Sequence, residues 1–214
     1  SYFIWYPCLS AGWFCSLAYA EVRSENILNQ AKKLGKQSFL YNSPPVITNT
    51  ACIAGTKEGE GMLAEYFDSI LNDNLAGQTS WEKAESYMLQ WAIKKAIEKD
   101  KDNIENIDCV LAGDLLNQLM ATHFALRDLG RPFLGLYGAC STLVEGMIVG
   151  SMLVEGRFMN KVVAAVSSHY DTAERQYRFP TELGVQRPLV AQWTVTGSGA
   201  AIICLNGEGP RITA

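Results

Sequence analysis

Three short stretches of this chain are almost continuously apolar: IDCVLAGD (107–114), PFLGLYGA (132–139) and KVVAAVSSH (161–169). Runs of that length without polar alternation are the mark of strands buried on both faces. The segments between them keep helical spacing. SWEKAESYMLQWAIKKAIEKD (80–100) carries Ala84, Met88, Trp91, Ala92 and Ile97 as an apolar stripe. Ser80 is its N-cap candidate, and Glu82 and Glu85 place negative charge in its first turn. LLNQLMATHFALRDLG (115–130) reads as a helix stopped by Gly130. STLVEGMIVGSMLVEG (141–156) reads as a helix whose internal glycines imply close packing.

On either side of this block, PPVITNTACIAGT (44–56) supplies a first strand near 46–53, and GEGMLAEYFDSIL (59–71) a short helix or an ordered loop. HYDTAERQYRFPTELGVQRPLV (169–190) has no apolar face and is expected to be a long polar loop. QWTVTGSGAAIICLN (192–206) is the last strand, with a turn or bulge at TGSG. The order is β-α-β-α-β-α-β-β. It predicts an α/β fold with a mostly parallel sheet, right-handed crossovers and a closing antiparallel pair at the edge.

Composition narrows the class. A chain of 214 residues is long enough for one α/β domain, and 48% hydrophobic with 19% charged residues is a globular balance. A net charge of -4 with no clustered Lys/Arg face argues against nucleic acid as a partner. The six cysteines have no CxxC spacing, which points to a reducing compartment without a disulfide framework. Two histidines, His123 and His169, are too few for a His-rich metal site. No metal site and no cofactor are expected.

Residues 2–20, YFIWYPCLSAGWFCSLAYA, carry no charge. Three readings compete for the segment 1–31: extraneous sequence ahead of a domain that starts near Lys32, a membrane anchor, or a signal peptide. Pro7 and Gly12 interrupt the run, and no basic residue precedes it.

In a parallel sheet, ligands bind beyond the carboxyl ends of the strands. Three motifs fall there: Gly113-Asp114, Gly138-Ala139-Cys140 and Ser167-Ser168-His169. Cys140 stands where a strand turns into a helix. Free N–H groups and the helix dipole would stabilise its thiolate or bind an anion there. A small packing residue is the equal alternative. Asp114 is a helix cap or a ligand-orienting group. His169 is a general base or a satisfied loop histidine, and His123, in mid-helix, is structural. Arg175, Arg178 and Arg187 offer forks for carboxylates, or pair with acids of their own loop.

AGDLLNQ (112–118), YGACST (137–142), SSHYDTAERQYRFPTE (167–182) and TVTGSGAAII (194–203), in that order, resemble the stage V sporulation protein AD family of endospore-forming bacteria. That family lies within the thiolase-like superfamily, beside the ketoacyl synthases. The resemblance runs from about Lys33 to Ala214 and implies one β-α-β-α-β-α-β-β half of a five-layered α-β-α-β-α sandwich. It divides the chain into 1–31 and a thiolase-like N-terminal half-domain, 32–214, with the second half absent. It implies a protein that binds dipicolinic acid and supports its uptake, as the calcium chelate, into the developing spore. The implied partners are the other stage V sporulation channel proteins and a second copy in a homodimer. The implied place is the forespore or spore, peripheral to the inner membrane, and otherwise the cytoplasm.

By the same resemblance Cys140 takes the thiolase nucleophile position. Asp114, Gly138, Ser141, Ser167, Ser168 and His169 would line or approach its pocket. Thiolases draw their catalytic His from the second half, and His169 does not stand at that position. The chain shown is therefore expected to bind rather than to condense, with Cys140 in the pocket floor and an apolar face exposed where the second half would pack. The alternative is a thiolase-type acyltransferase using Cys140 as acyl acceptor.

Overall fold

A computed structural model describes residues 32–177 and 194–214, which separate into two units at Ser43/Pro44. In the first unit, β1 (Lys32–Leu34) pairs antiparallel with β2 (Ser38–Leu40) around a left-handed Gly35. The segment 1–31, with its competing readings, lies outside the described residues.

The second unit is built on a six-stranded sheet. Its strands are β3 (Val46–Ala54), β4 (Ser69–Ile70), β5 (Cys109–Gly113), β6 (Phe133–Gly135), β7 (Lys161–Ser168) and β8 (Gly197–Cys204), in the order β4-β3-β8-β7-β5-β6. The β7–β8 pair is antiparallel, as expected, but it is central and not at an edge. β3 adds to the other side of β8, from Val46↔Cys204 to Ala54↔Gly197, so β8 runs against both neighbours. The TGSG stretch holds no turn. Gly197, Ser198 and Gly199 are strand residues, and a Cβ on Gly197 would press on the Ile53 carbonyl at 2.8 Å. The irregularity lies opposite, in β3 between Ile47 and Asn49.

Side chains alternate across the sheet with period two and fill two cores. On one face Val110, Ala112, Val163, Ala165 and Ile202 meet Leu89, Ala92 and Ile93 of α1 (Trp81–Lys99) and Ala125 and Leu126 of α2 (Met120–Arg127). On the other, Cys109, Leu111, Val162, Ala164 and Ile203 meet Val154 of α3 (Thr142–Glu155). Ser80 caps α1 as expected, its Oγ accepting the Lys83 amide. In α3, a Cβ on Gly150 would stand 3.0 Å from Val162 Cγ2 and one on Gly146 3.2 Å from Ala164 Cβ, so these glycines let the helix lie close to the sheet. The opposite side of α3 presents Val144, Ile148 and Met152 in one row, 58%, 43% and 44% exposed.

Three segments differ from their sequence patterns, and a fourth, 59–71, takes the ordered-loop alternative with a two-residue strand at its end. The 115–130 helix is confined to α2, because Gln118 and Leu119 are left-handed and break it. The strand at 132–139 shortens to β6. Residues 59–71 form two short 3-10 turns, Glu58–Glu60 and Ala64–Tyr66, and then β4. The polar stretch after His169 opens with a helix, α4 (Tyr170–Tyr177), whose first turn buries Tyr170, Thr172 and Ala173. Arg178 and Arg187 lie outside the described residues, as does the side chain of Arg175.

At the amino end of β7, Lys161 is clamped between Asp100 and Asp102, and its hydrogen bond holds Asp102 down to about 2. At the carboxyl end of β5, a side chain on Gly113 would drive into the Leu136 carbonyl and Thr142 Cγ2. Gly113→Ala should therefore cost about 3 kcal/mol, at the upper end of overpacking penalties, as read from the midpoint of chemical denaturation.

Candidate functional site

The carboxyl ends of β5, β6 and β7 converge on one corner of the sheet. β5 delivers Asp114, which is 5% exposed. Its Oδ1 accepts the Leu116 amide at 2.7 Å, and its Oδ2 accepts the amide and hydroxyl of Thr122 at 2.7 and 2.6 Å. Thr122 lies in the first turn of α2, so Asp114 caps that helix from across the loop. The cap also explains the left-handed Gln118 and Leu119: with both ends of 114–122 tied to one carboxylate, the chain between must turn sharply.

β6 leads to the turn that holds Cys140. Ala139 is left-handed (φ 48), Ala139–Ser141 form a 3-10 turn, and α3 follows. The thiol is exposed. The Ser141 hydroxyl is already engaged, donating to the Gly138 carbonyl at 2.8 Å. Glu145 stands in the first turn of α3, and its Oε2 lies where a side chain on Gly138 would have to go. A carboxylate thus shares the helix end that the sequence offers to an anion or a thiolate. Among the described residues no hydrogen bond joins Cys140 to a base.

β7 delivers Ser167, Ser168 and His169, and each has an internal partner. Ser168 donates to the Val195 carbonyl at 2.6 Å. His169 is fully buried. Its Nδ1 accepts the Asp171 amide at 3.2 Å, so the Nε2 proton goes to the Asn74 carbonyl at 2.7 Å. Burial pushes its pKa below the usual imidazole value, against the weaker pull of Asp171. His169 is therefore neutral and holds the loop at Asn74. It does not face the cleft as a base.

Ser167 leads to a residue whose place the sequence did not reveal. Its Oγ donates to Oε1 of Glu85 at 3.2 Å, and Thr172 Oγ1 lies 2.8 Å from Oε2. Glu85 reads in sequence as a first-turn charge, yet it has no exposure at all. It shares a row with Leu89, Ile93 and Ile97, a 3.6-residue pattern that could have exposed it. Burial, then the charge of Asp114, raises its pKa to about 8. Beside these groups lies a cleft of about 640 Å³, lined by Asp114, Thr172, Tyr137, Ala139, Glu82 and the loop 115–120. Of the expected site residues Asp114 lines it. Gly138, Cys140 and Ser141 are neighbours in sequence of the lining residues Tyr137 and Ala139 but do not line it, while Ser167, Ser168 and His169 are held in internal bonds. No cluster of three metal-ligating side chains occurs among the described residues.

The sheet order and the division of helices between its faces define the class, a thiolase-like domain. Comparison with solved structures gives the same fold. The 3-oxoacyl-[acyl-carrier-protein] synthase III of Aquifex aeolicus VF5 superposes with a TM-score of 0.51 at 13% identity, over 75% of this chain and 53% of that one. A variant of Xanthomonas campestris OleA with bound lauric acid and lauroyl-CoA gives 0.50 at 17% identity, over 75% and 56%. Residues 35–214 match the model of the stage V sporulation protein AD family, and the chain belongs to that family. It is 44% identical over 182 residues to stage V sporulation protein AD of Bacillus subtilis (strain 168), covering 85% of this chain and 54% of that protein. The chain thus spans about half the length of the curated relative it matches. Among the described residues, no helix is long and apolar enough to cross a membrane.

The Glu85 shift fixes a pH dependence. Unfolded, the group loses its proton near 4.5; folded, it keeps it to about 8. Between these values the native state holds the extra proton, so stability falls as pH rises through the window and levels off above it. Denaturation midpoints across that range should decline in the native sequence and decline less in Glu85→Gln.

Proposed function

We propose that this chain is part of a sporulation protein that binds dipicolinic acid at the Asp114–Tyr137–Thr172 cleft and supports its uptake into the developing spore with the stage V channel proteins. Membership in the stage V sporulation protein AD family is the observation that carries the reading. Three features of the site support binding over turnover. His169 is neutral and buried, no base contacts Cys140 among the described residues, and Glu145 shares the end of α3. Tyr137 and the apolar residues of 115–120 give a flat ring a surface to lie on. Asp114 and Glu82 line the same cleft, and the calcium chelate would bring a cation to face them. The protein acts in the forespore or spore, peripheral to the inner membrane, and a homodimer is the expected assembly.

Calorimetric titration of the native protein should show binding of dipicolinate and calcium dipicolinate, and at least tenfold weaker binding of isophthalate, which lacks the ring nitrogen. Equal affinities, or none, would remove the reading.

The exposed thiol at the start of α3 keeps an acyltransferase reading open. It requires Cys140 to be acylated stoichiometrically by an acyl-CoA. The binding reading expects no acyl-enzyme by intact mass, and a Cys140→Ala variant that still takes the chelate.

A further inference from the structure

Glu85 has no part in the reading above, yet α1 buries it completely at the floor of the same corner. Its carboxyl group meets Ser167 of β7 and Thr172 of α4. The Thr172 hydroxyl also lies 3.0 Å from the His169 carbonyl, which can only accept. One hydroxyl has one proton. If Glu85 is ionised, Thr172 must give that proton to the carboxylate and release the carbonyl. If Glu85 is protonated, it donates to Thr172, Thr172 donates to His169, and Ser167 donates to the remaining oxygen. The protonated form uses every contact. Among the described residues, three further acids stand near this point: Asp114 beyond β5, Glu82 on α1 at the cleft, and Asp171 on α4 beside the neutral His169. Among the described residues, neither Glu85 nor Asp114 has a salt bridge to a Lys or Arg. A second full charge here would stand in an apolar layer beside the first.

We propose that Glu85 is a buried proton-holding residue that positions the cleft: neutral, it lets Thr172 close the first turn of α4 on the His169 carbonyl and the cleft accepts an anionic ligand; ionised, it draws the Thr172 proton away from that carbonyl, loosens the turn and releases the ligand. The proton leaves to water, and the charge that appears faces Asp114. Thr172 carries the change, since it touches Glu85 and also lines the cleft. The ligand half of the proposal rests on the dicarboxylate reading. The structural half does not.

Two measurements separate them. Hydrogen exchange of the ligand-free native protein, corrected for the intrinsic pH dependence, should show the amides of Thr172 and Ala173 losing about tenfold protection between pH ~7 and ~9, and Glu85→Gln should abolish that loss. Titration with dipicolinate, whose carboxyls are ionised throughout, should lose about tenfold in affinity over the same range, with the slope absent in Glu85→Gln. A protection loss that persists unchanged in the variant assigns the proton to another group and overturns the proposal whatever binds. Protection that is flat in the native protein overturns it as well. If the protection loss depends on Glu85 while dipicolinate binds at no pH, the dicarboxylate reading fails and the proton-holding role of Glu85 stands. Binding without a pH slope overturns the link between them.

Discussion

The central strands β5, β7 and β8 have packed cores on both faces, and that constraint decides where polar chemistry can stand. Between the helices the strands carry Val, Ile, Leu, Ala and Cys. Polar side chains gather where the strands end. A buried polar group without a partner is costly, so groups at such a corner pair with one another before they can serve a ligand. Asp114 takes three donors, Ser168 finds a carbonyl, and His169 divides its two nitrogens between backbone groups. What reaches the cleft is what remains after these demands are met.

Much of the fold was legible because burial on two faces writes an unmistakable pattern. Cys109–Gly113 and Lys161–Ser168 read as strands from their apolar runs alone, and α1 read correctly from its stripe and its Ser80 cap. The misreadings share a cause, which is contact between segments distant in sequence. The Asp114 carboxylate folds 115–119 into a loop that local propensity would make helical. The position of β8 between β3 and β7 depends on a pairing from Val46 to Ala54 that no local pattern announces. The first turn of α4 is helical because Tyr170, Thr172 and Ala173 are buried against the domain, although its sequence reads as polar loop.

The site was legible as a location and less so as a set of roles. Strand-end motifs pointed to the corner beside which the cleft lies, and Cys140 stands at the start of a helix as its neighbours implied. The pattern could not show that Glu145 folds back over Gly138, or that His169 is committed to Asn74. Glu85 escaped notice because a glutamate in the first turn of a helix is usually a solvated partner of the dipole. Its row with Leu89 and Ile93 was the contrary signal.

Charge is distributed unequally along the sheet, and this separates support from function. At the amino end of β7, Lys161 lies between two aspartates, and the cluster is held by attraction. At the carboxyl end, Glu85 and Asp114 face each other without such a cation among the described residues. Burial, then the charge of Asp114, favours the protonated form of Glu85. Asp114 has three donors and Glu85 has hydroxyls that can reverse direction, so the proton resides on Glu85. An anion entering the cleft adds to the same field, and it does so at least cost when Glu85 is neutral or when the anion brings its own cation. The corner is therefore better suited to holding a charged guest under a condition than to stabilising a thiolate at all times.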